Sequence, residues 1–293
     1  MHRLTRSIFA LLFFAAPAAF ADEALRPYVL IDQEPGTLPY GTAATVAALE
    51  DSDFEVVGQY TPYEGAVVLA VTHPALLDAA AATEFGGYAA VLRIGLTEVD
   101  GAVQRSYANP AYWGLAFQVG ELAPVSEALE ALFGTGTPFG SEKGLSEKKL
   151  AKYRYMMMMP RLRDHDKLAS FDSHAEALAT VRANLANNDE DLMPVFEVAV
   201  PGTEEVLFGV GIGSGDGGDT TVMQTTDGGE LRHTAHLPYA LLVAGGEVYA
   251  LAGKFRIALA FPDLGMGTFM KISAAPGAIR DSLQTLTEAA LPQ

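Results

Sequence analysis

The chain has 293 residues, no cysteine, 36 acidic side chains against 19 basic ones, and a formal charge of −17. Such acidity disfavours nucleic acid and anionic membrane surfaces, which need basic patches. The missing cysteine excludes thiol nucleophiles, zinc–thiolate sites, c-type haem attachment and disulfides, so stability must come from core burial.

Arg3 and Arg6 precede an apolar run from Ile8 to Ala16, and "AAFA" ends at Ala21 before Asp22 and Glu23. This is the layout of a secretory signal peptide cleaved after Ala21. The run is well short of the roughly 20 residues that a membrane span needs, so stable membrane insertion is not expected. A soluble exported protein is expected, in the periplasm of a Gram-negative cell.

Tyr28 to Asp32 reads as a buried strand and Thr42 to Asp51 as a helix with Val46 and Leu49 on one side. "DFEVVGQY" and "AVVLAV" read as strands separated by a turn at Pro62 and Gly65, and Pro74 opens a helix. "AAVLRIGLTEVDGAVQRSY" is two strands around Asp100-Gly101, a strong hairpin signal. Pro110 and Pro124 each open a helix, and Tyr112 and Trp113 suit interdomain packing.

Residues 134–147 are rich in Gly, Ser and Pro and read as a linker. "KYRYMMMM" then reads as a covered strand, with Met156 and Met158 on one face and Met157 and Met159 on the other. Ser173 to Asn187 is an amphipathic helix that Ser173 and Glu176 can cap. "VFEVAV", "EVLFGVGI" and the stretch from Pro238 to Phe261 read as strands, the last broken at Gly245-Gly246. Pro262 opens a segment and Pro276 the final helix.

The order repeats. Phe54-Glu55-Val56 returns as Phe196-Glu197-Val198, Pro62 as Pro201, and the 14-position spacing of Pro110 and Pro124 as that of Pro262 and Pro276. These parallels predict an α/β (α+β) chain of two similar two-layer sheet-and-helix domains in tandem. The boundaries are 1–21 for the signal peptide, 22–133, a linker at 134–147, and a diverged domain at 148–293 with an insertion around "GSGDGGDTTVMQTTDGGE".

Asp100, Gly101, Tyr107, Asn109, Pro110 and Tyr112 give residues 41–117 a pattern that resembles the bacterial family termed domain of unknown function 302. In the second copy "LPYALLV", "GEVYAL" and "FPDLGMGTFM" keep the order without Asp-Gly or the Tyr-x-x-Pro-like segment. The resemblance implies a compact two-layer α/β domain and supplies almost no chemistry.

Candidate site residues lie in the second half. His233 and His236 are three apart and could grip a metal on a helical turn but would diverge on a strand; Pro238 argues against a continuing helix. Met223, Met266 and Met270 are soft donors, which makes copper the most plausible metal. Arg256 is a lone arginine in an apolar strand, costly unless paired or wet, and is a candidate anion clamp. His165 between Asp164 and Asp166 reads as a solvated turn. Asp216 and Asp219 could ligate calcium but suit a hairpin loop. Gly213-x-Gly215-x-x-Gly218 matches a dinucleotide fingerprint, but the β-prone "DTTVMQTT" after it offers no helix N-terminus.

The expectation is a non-catalytic binding protein for a small molecule or metal ion, its site in the second domain or the interdomain cleft. The competing classes are an enzyme using His233 or His236 as general base with Arg256 holding an anionic substrate, and an assembly partner of another exported protein. No catalytic residue is assigned.

Overall fold

The computed structural model describes residues 24–154, 157–187 and 191–288. The expected leader, Tyr155 and Met156 lie outside them. Strand β1 (Tyr28–Pro35) leads through helix α1 (Leu38–Glu50) to β2 (Glu55–Tyr60) and β3 (Ala66–Thr72). Helix α2 (Pro74–Ala81) and a 3-10 turn at Gly86–Ala89 precede β4 (Leu92–Val99) and β5 (Ala102–Ala108). Helices α3 (Pro110–Ala116) and α4 (Ala123–Phe133), strand β6 (Thr137–Phe139) and helix α5 (Glu147–Leu150) follow.

The second half runs β7 (Asp166–Ser170), α6 (His174–Asn187), β8 (Leu192–Ala199), β9 (Glu205–Ile212) and α7 (Asp219–Thr226). A 3-10 turn at Thr234–His236 then leads to β10 (Tyr239–Ala244), β11 (Glu247–Ala250), α8 (Gly253–Ala260), α9 (Met266–Lys271) and α10 (Ala275–Thr285).

The fold is therefore mixed α/β, with two antiparallel sheets ordered β2-β3-β4-β5-β1-β6 and β8-β9-β10-β11-β7. Without the edge strand β6, both follow one connectivity, in which each half's first strand closes beside its fifth. β3 is buried along its whole length because α1 covers one face of the first sheet and the Thr234–His236 turn packs on the sheet as well.

The halves grip each other reciprocally. The turn at Thr234–His236 lies on β4, where a Cβ at Gly95 would come within 2.7 Å of the Ala235 nitrogen. The corresponding turn of the first half lies on β9 and β10, with Gly87 against Leu242 and Glu205. The Glu205 carboxylate accepts from the Phe85 and Gly87 amides at 2.8 Å each. Edge strands β2 and β8 also meet, at Gly58 and Val195.

The residues that carried the family resemblance do structural tasks. Asp100 and Gly101 take φ of 52° and 79°, the left-handed pair that a tight hairpin demands. Asn109 caps α3 by accepting from the Ala111 amide and donates to the Arg26 carbonyl. Residues 134–147 carry β6, which pairs with β1, and a bridge from Leu145 to Leu25.

Several expectations are corrected. Met157 and Met158 lie in a turn, 85% and 93% exposed. Among the described residues the first-strand place of the second half belongs to β7, an edge strand beside β11, and Met157 to Met159 lie outside it. Arg256 is on helix α8, because "KFRIALAF" is buried nearly all round and its apolar run mimics a covered strand. "DTTVMQTT" is helix α7, with Gly218 at its N-cap and Val222 and Met223 packed inward.

The matching tripeptides are out of register. Counted from the two hairpin turns, Phe196, opposite Gly209, takes the place of Tyr60, opposite Val68, and not that of Phe54. Pro110 opens α3 directly after β5, whereas Pro262 follows α8, so the equal proline spacing does not mark equivalent sites.

Candidate functional site

The polar groups concentrate where the segment after β9 descends onto the first sheet. Helix α7 ends at Asp227, whose two carboxylate oxygens each accept from the His233 amide at 3.0 Å. The Arg232 side chain donates to the Asp227 carbonyl, and the Arg232 amide donates to Gln104 Oε1 at 3.1 Å. Gln104 Nε2 in turn donates to the Glu230 carbonyl at 2.7 Å, so β5 clamps the loop from below. Thr234 meets the Tyr63 hydroxyl at 2.7 Å.

Two clefts flank this loop. One, of about 390 Å³, is lined by Gly140, Asp227, His233, Phe261, Asp263 and Thr268. The other, of about 500 Å³, is lined by Tyr63, Thr97, Met223, Gln224, Asp227 and Arg232. Asp227 belongs to both walls. Burial pushes its carboxyl up to about 6, against the pull of the His233 amide and the Arg232 charge. Asp263 is anchored by the Ser141 hydroxyl at 3.1 Å and the Glu142 amide.

The His233 ring sits among Tyr28, Phe139 and Phe261 at centroid distances of 4.9, 5.6 and 4.8 Å. Burial takes it down to about 4, with Asp263 opposing. His236 is fully buried, edge-on to Tyr239, with Nε2 at 3.3 Å from the Tyr239 hydroxyl. Burial first, then Arg256, Arg93 and His233, hold it well below the usual imidazole range. Both rings are neutral near pH 7, and both Nδ1 atoms are buried with no partner among the described residues.

The expected metal donors do not line a common cleft. Met223 lines the second cleft while His233 lines the first; His236 and Met266 line neither of these two, and Met266 is 46% exposed. Among the described residues, no group of three or more histidine, aspartate or glutamate side chains is placed to hold a metal ion.

Arg256 is buried, stacks over Trp113 at 4.6 Å and donates to the His236 carbonyl. Trp113 Nε1 donates to the Pro27 carbonyl and the Tyr112 hydroxyl to the Leu259 carbonyl, each at 2.8 Å, so both aromatics bind structure together at this junction. His165 packs against Phe85, Tyr88 and Tyr249, and its pKa is lowered chiefly by burial.

Asp219, in the first turn of α7, is buried and accepts from the Ile212 amide at 3.1 Å and the Tyr60 hydroxyl at 3.3 Å. Burial lifts it to about 8. The Gly213–Gly218 loop does lead into a helix, but β9 and β10 pair antiparallel, so there is no βαβ unit.

Sequence reasoning missed Arg93 on β4. The signal was present: "LRIGL" is a lone arginine in an apolar run, the same anomaly that singled out Arg256.

Comparison with protein-family models, curated proteins and solved structures finds no match to the chain.

Proposed function

We propose that the protein is an exported, non-catalytic binding protein that takes a small molecule in the second-half cleft beside His233. The carrying observation is Asp227, a buried carboxylate that forms a wall shared by two clefts and whose neighbour His233 contributes an aromatic, neutral face. Asp227 and Asp263 both line the His233 cleft, and no lysine or arginine lines it. That chemistry favours a ligand bearing an amine or another hydrogen-bond-donating cation, with apolar surface to lie against Phe261 and Leu264.

Catalysis with His233 or His236 as the base is disfavoured, because a general base working near neutral pH needs a pKa near that range. His233 and His236 are both driven far lower, and Arg256 is turned away from the His233 cleft toward Trp113.

Calorimetric titration of the mature protein with small amines, and with carboxylates of matched size, tests this reading. An amine-bearing ligand is expected to bind, and Asp227→Asn is expected to weaken it about tenfold, the loss of one charge-assisted contact. Selective binding of the carboxylates, or amine affinity untouched in Asp227→Asn, would sink it.

A further inference from the structure

A second, independent feature lies deeper, where Arg93 of β4 and Arg256 of α8 line one space. Arg93 and Arg256 are both only 5% exposed. Each spends part of its guanidinium on one carbonyl: Arg93 Nη1 donates to Val91 at 3.2 Å, and Arg256 Nη2 donates to His236. Each also lies over an aromatic ring, Phe196 at 5.9 Å and Trp113 at 4.6 Å. Among the described residues, Arg93 Nε and Arg256 Nη1 are buried donors without an acceptor, and so is the Tyr28 hydroxyl.

The charge balance does not close. A guanidinium stays protonated at any physiological pH, so two positive charges share this interior. Among the described residues neither arginine forms an ion pair with a carboxylate. Of the other buried acids, Asp219 accepts from Ile212 and Tyr60 through Oδ2 while its Oδ1 has no partner among the described residues, and Asp227 accepts from the His233 amide; neither is paired with an arginine of this interior. The two guanidiniums repel each other, and Tyr28, Tyr60 and Tyr239 are phenols within electrostatic reach of Arg256. His236 is neutral and adds no compensation. Uncompensated buried charge is among the costliest things a fold can carry, and a neutral water would satisfy a donor without cancelling a charge.

The arginines line one small space with Tyr88, Phe117, Tyr239 and Ile279, of about 10 Å³. That is room for little more than one small ion, which favours a monatomic anion over a phosphate, a sulfate or an organic carboxylate.

We propose that Arg93 and Arg256 together hold a monatomic halide of the chloride class, buried between the two halves and joining them. The anion supplies the missing acceptor for Arg93 Nε and Arg256 Nη1 and lets β4 and α8 approach in spite of their like charges. It is independent of the amine cleft: neither arginine lines that cleft, and its ligand has the opposite charge.

The mature full-length protein, dialysed into sodium gluconate, is titrated with chloride, bromide, formate and sulfate at constant ionic strength while its melting temperature is followed. Chloride and bromide are expected to raise Tm by roughly 3–5 °C per tenfold increase once saturation is passed, and formate and sulfate to leave it unchanged. The Arg93→Met, Arg256→Met double variant removes both charges while keeping apolar bulk, and its Tm is expected to be indifferent to halide. Should that variant not fold, anomalous scattering from bromide-grown crystals of the unaltered protein decides. A peak in contact with Arg93 Nε and Arg256 Nη1 upholds the proposal. No peak there, a Tm blind to halides, or an equal response to formate or sulfate overturns it.

Discussion

The two sheets share a strand order but not a distribution of polar groups. In the first half the link from β3 to β4 is α2 and a Gly-Gly-Tyr-Ala turn, held in place by a carboxylate, Glu205, from the other half. In the second half the link from β9 to β10 holds α7, Asp219, Asp227, His233 and His236, and its turn is held by hydroxyls of Tyr63 and Thr97. The same topological slot is a plain clamp in one half and the wall of two clefts in the other. Connectivity sets where a segment crosses the interface; side chains within the segment decide whether it also carries a site.

The sharpest way to break that comparison is to block the two turns. Gly95→Val is expected to cost about 3 kcal/mol or more in denaturant unfolding, because its Cβ meets the Ala235 backbone, which cannot yield. Gly87→Val meets the ends of Leu242 and Glu205, which can move, and should cost about 1–2 kcal/mol. Equal losses would mean that the two turns are docked alike.

The next effect belongs to the second half alone. Asp219 has a folded pKa near 8, far above its unfolded value, so the folded state holds the extra proton between those values. Stability must then fall as pH rises toward 8. Asp227 changes little above pH 6.5, and His233 and His236 act in the opposite sense, their effect fading above about pH 7.5, so the Asp219 contribution is read as the difference between variant and parent. Asp219→Asn is therefore expected to abolish a loss of about 1–2 kcal/mol between pH 6.5 and 8, read from urea midpoints at each pH. An unchanged slope would show that this buried carboxyl is ionised.

Glu205→Ala, on the first half's clamp, removes two charge-assisted bonds at a half-buried group and should cost about 1 kcal/mol, measured by chemical denaturation. The smallest effect is expected at the methionine tract. Met158→Lys, on an exposed turn, should alter stability by less than about 0.5 kcal/mol. A large loss there would restore the reading of the tract as core.

How much of this was legible follows from how local each signal is. The β4–β5 hairpin is written in Asp100-Gly101 and the alternation around it, and β3 in an unbroken apolar run; both need only neighbours in sequence. Arg256 illustrates the opposite. Its oddity was visible, but strand and buried helix give the same short apolar run, so its element was misread. Helix α7 was hidden by β-branched threonines, whose weak preference is overruled by packing of Val222 and Met223. The tripeptide match misled because sheet register depends on hairpin pairing, and a six-residue offset still leaves a plausible pattern.

The residues alone determined the α/β class, most of the strands, the turn chemistry and the anomaly of charges set in apolar runs, since each rests on interactions spanning a few positions. Only the tertiary structure decided that Arg93 and Arg256 line one space, that Asp227 lines two clefts, and that His233 and Met223 line different ones. Those facts arise when segments far apart in the chain are brought together by core burial, and no local pattern encodes which distant partner a side chain will meet.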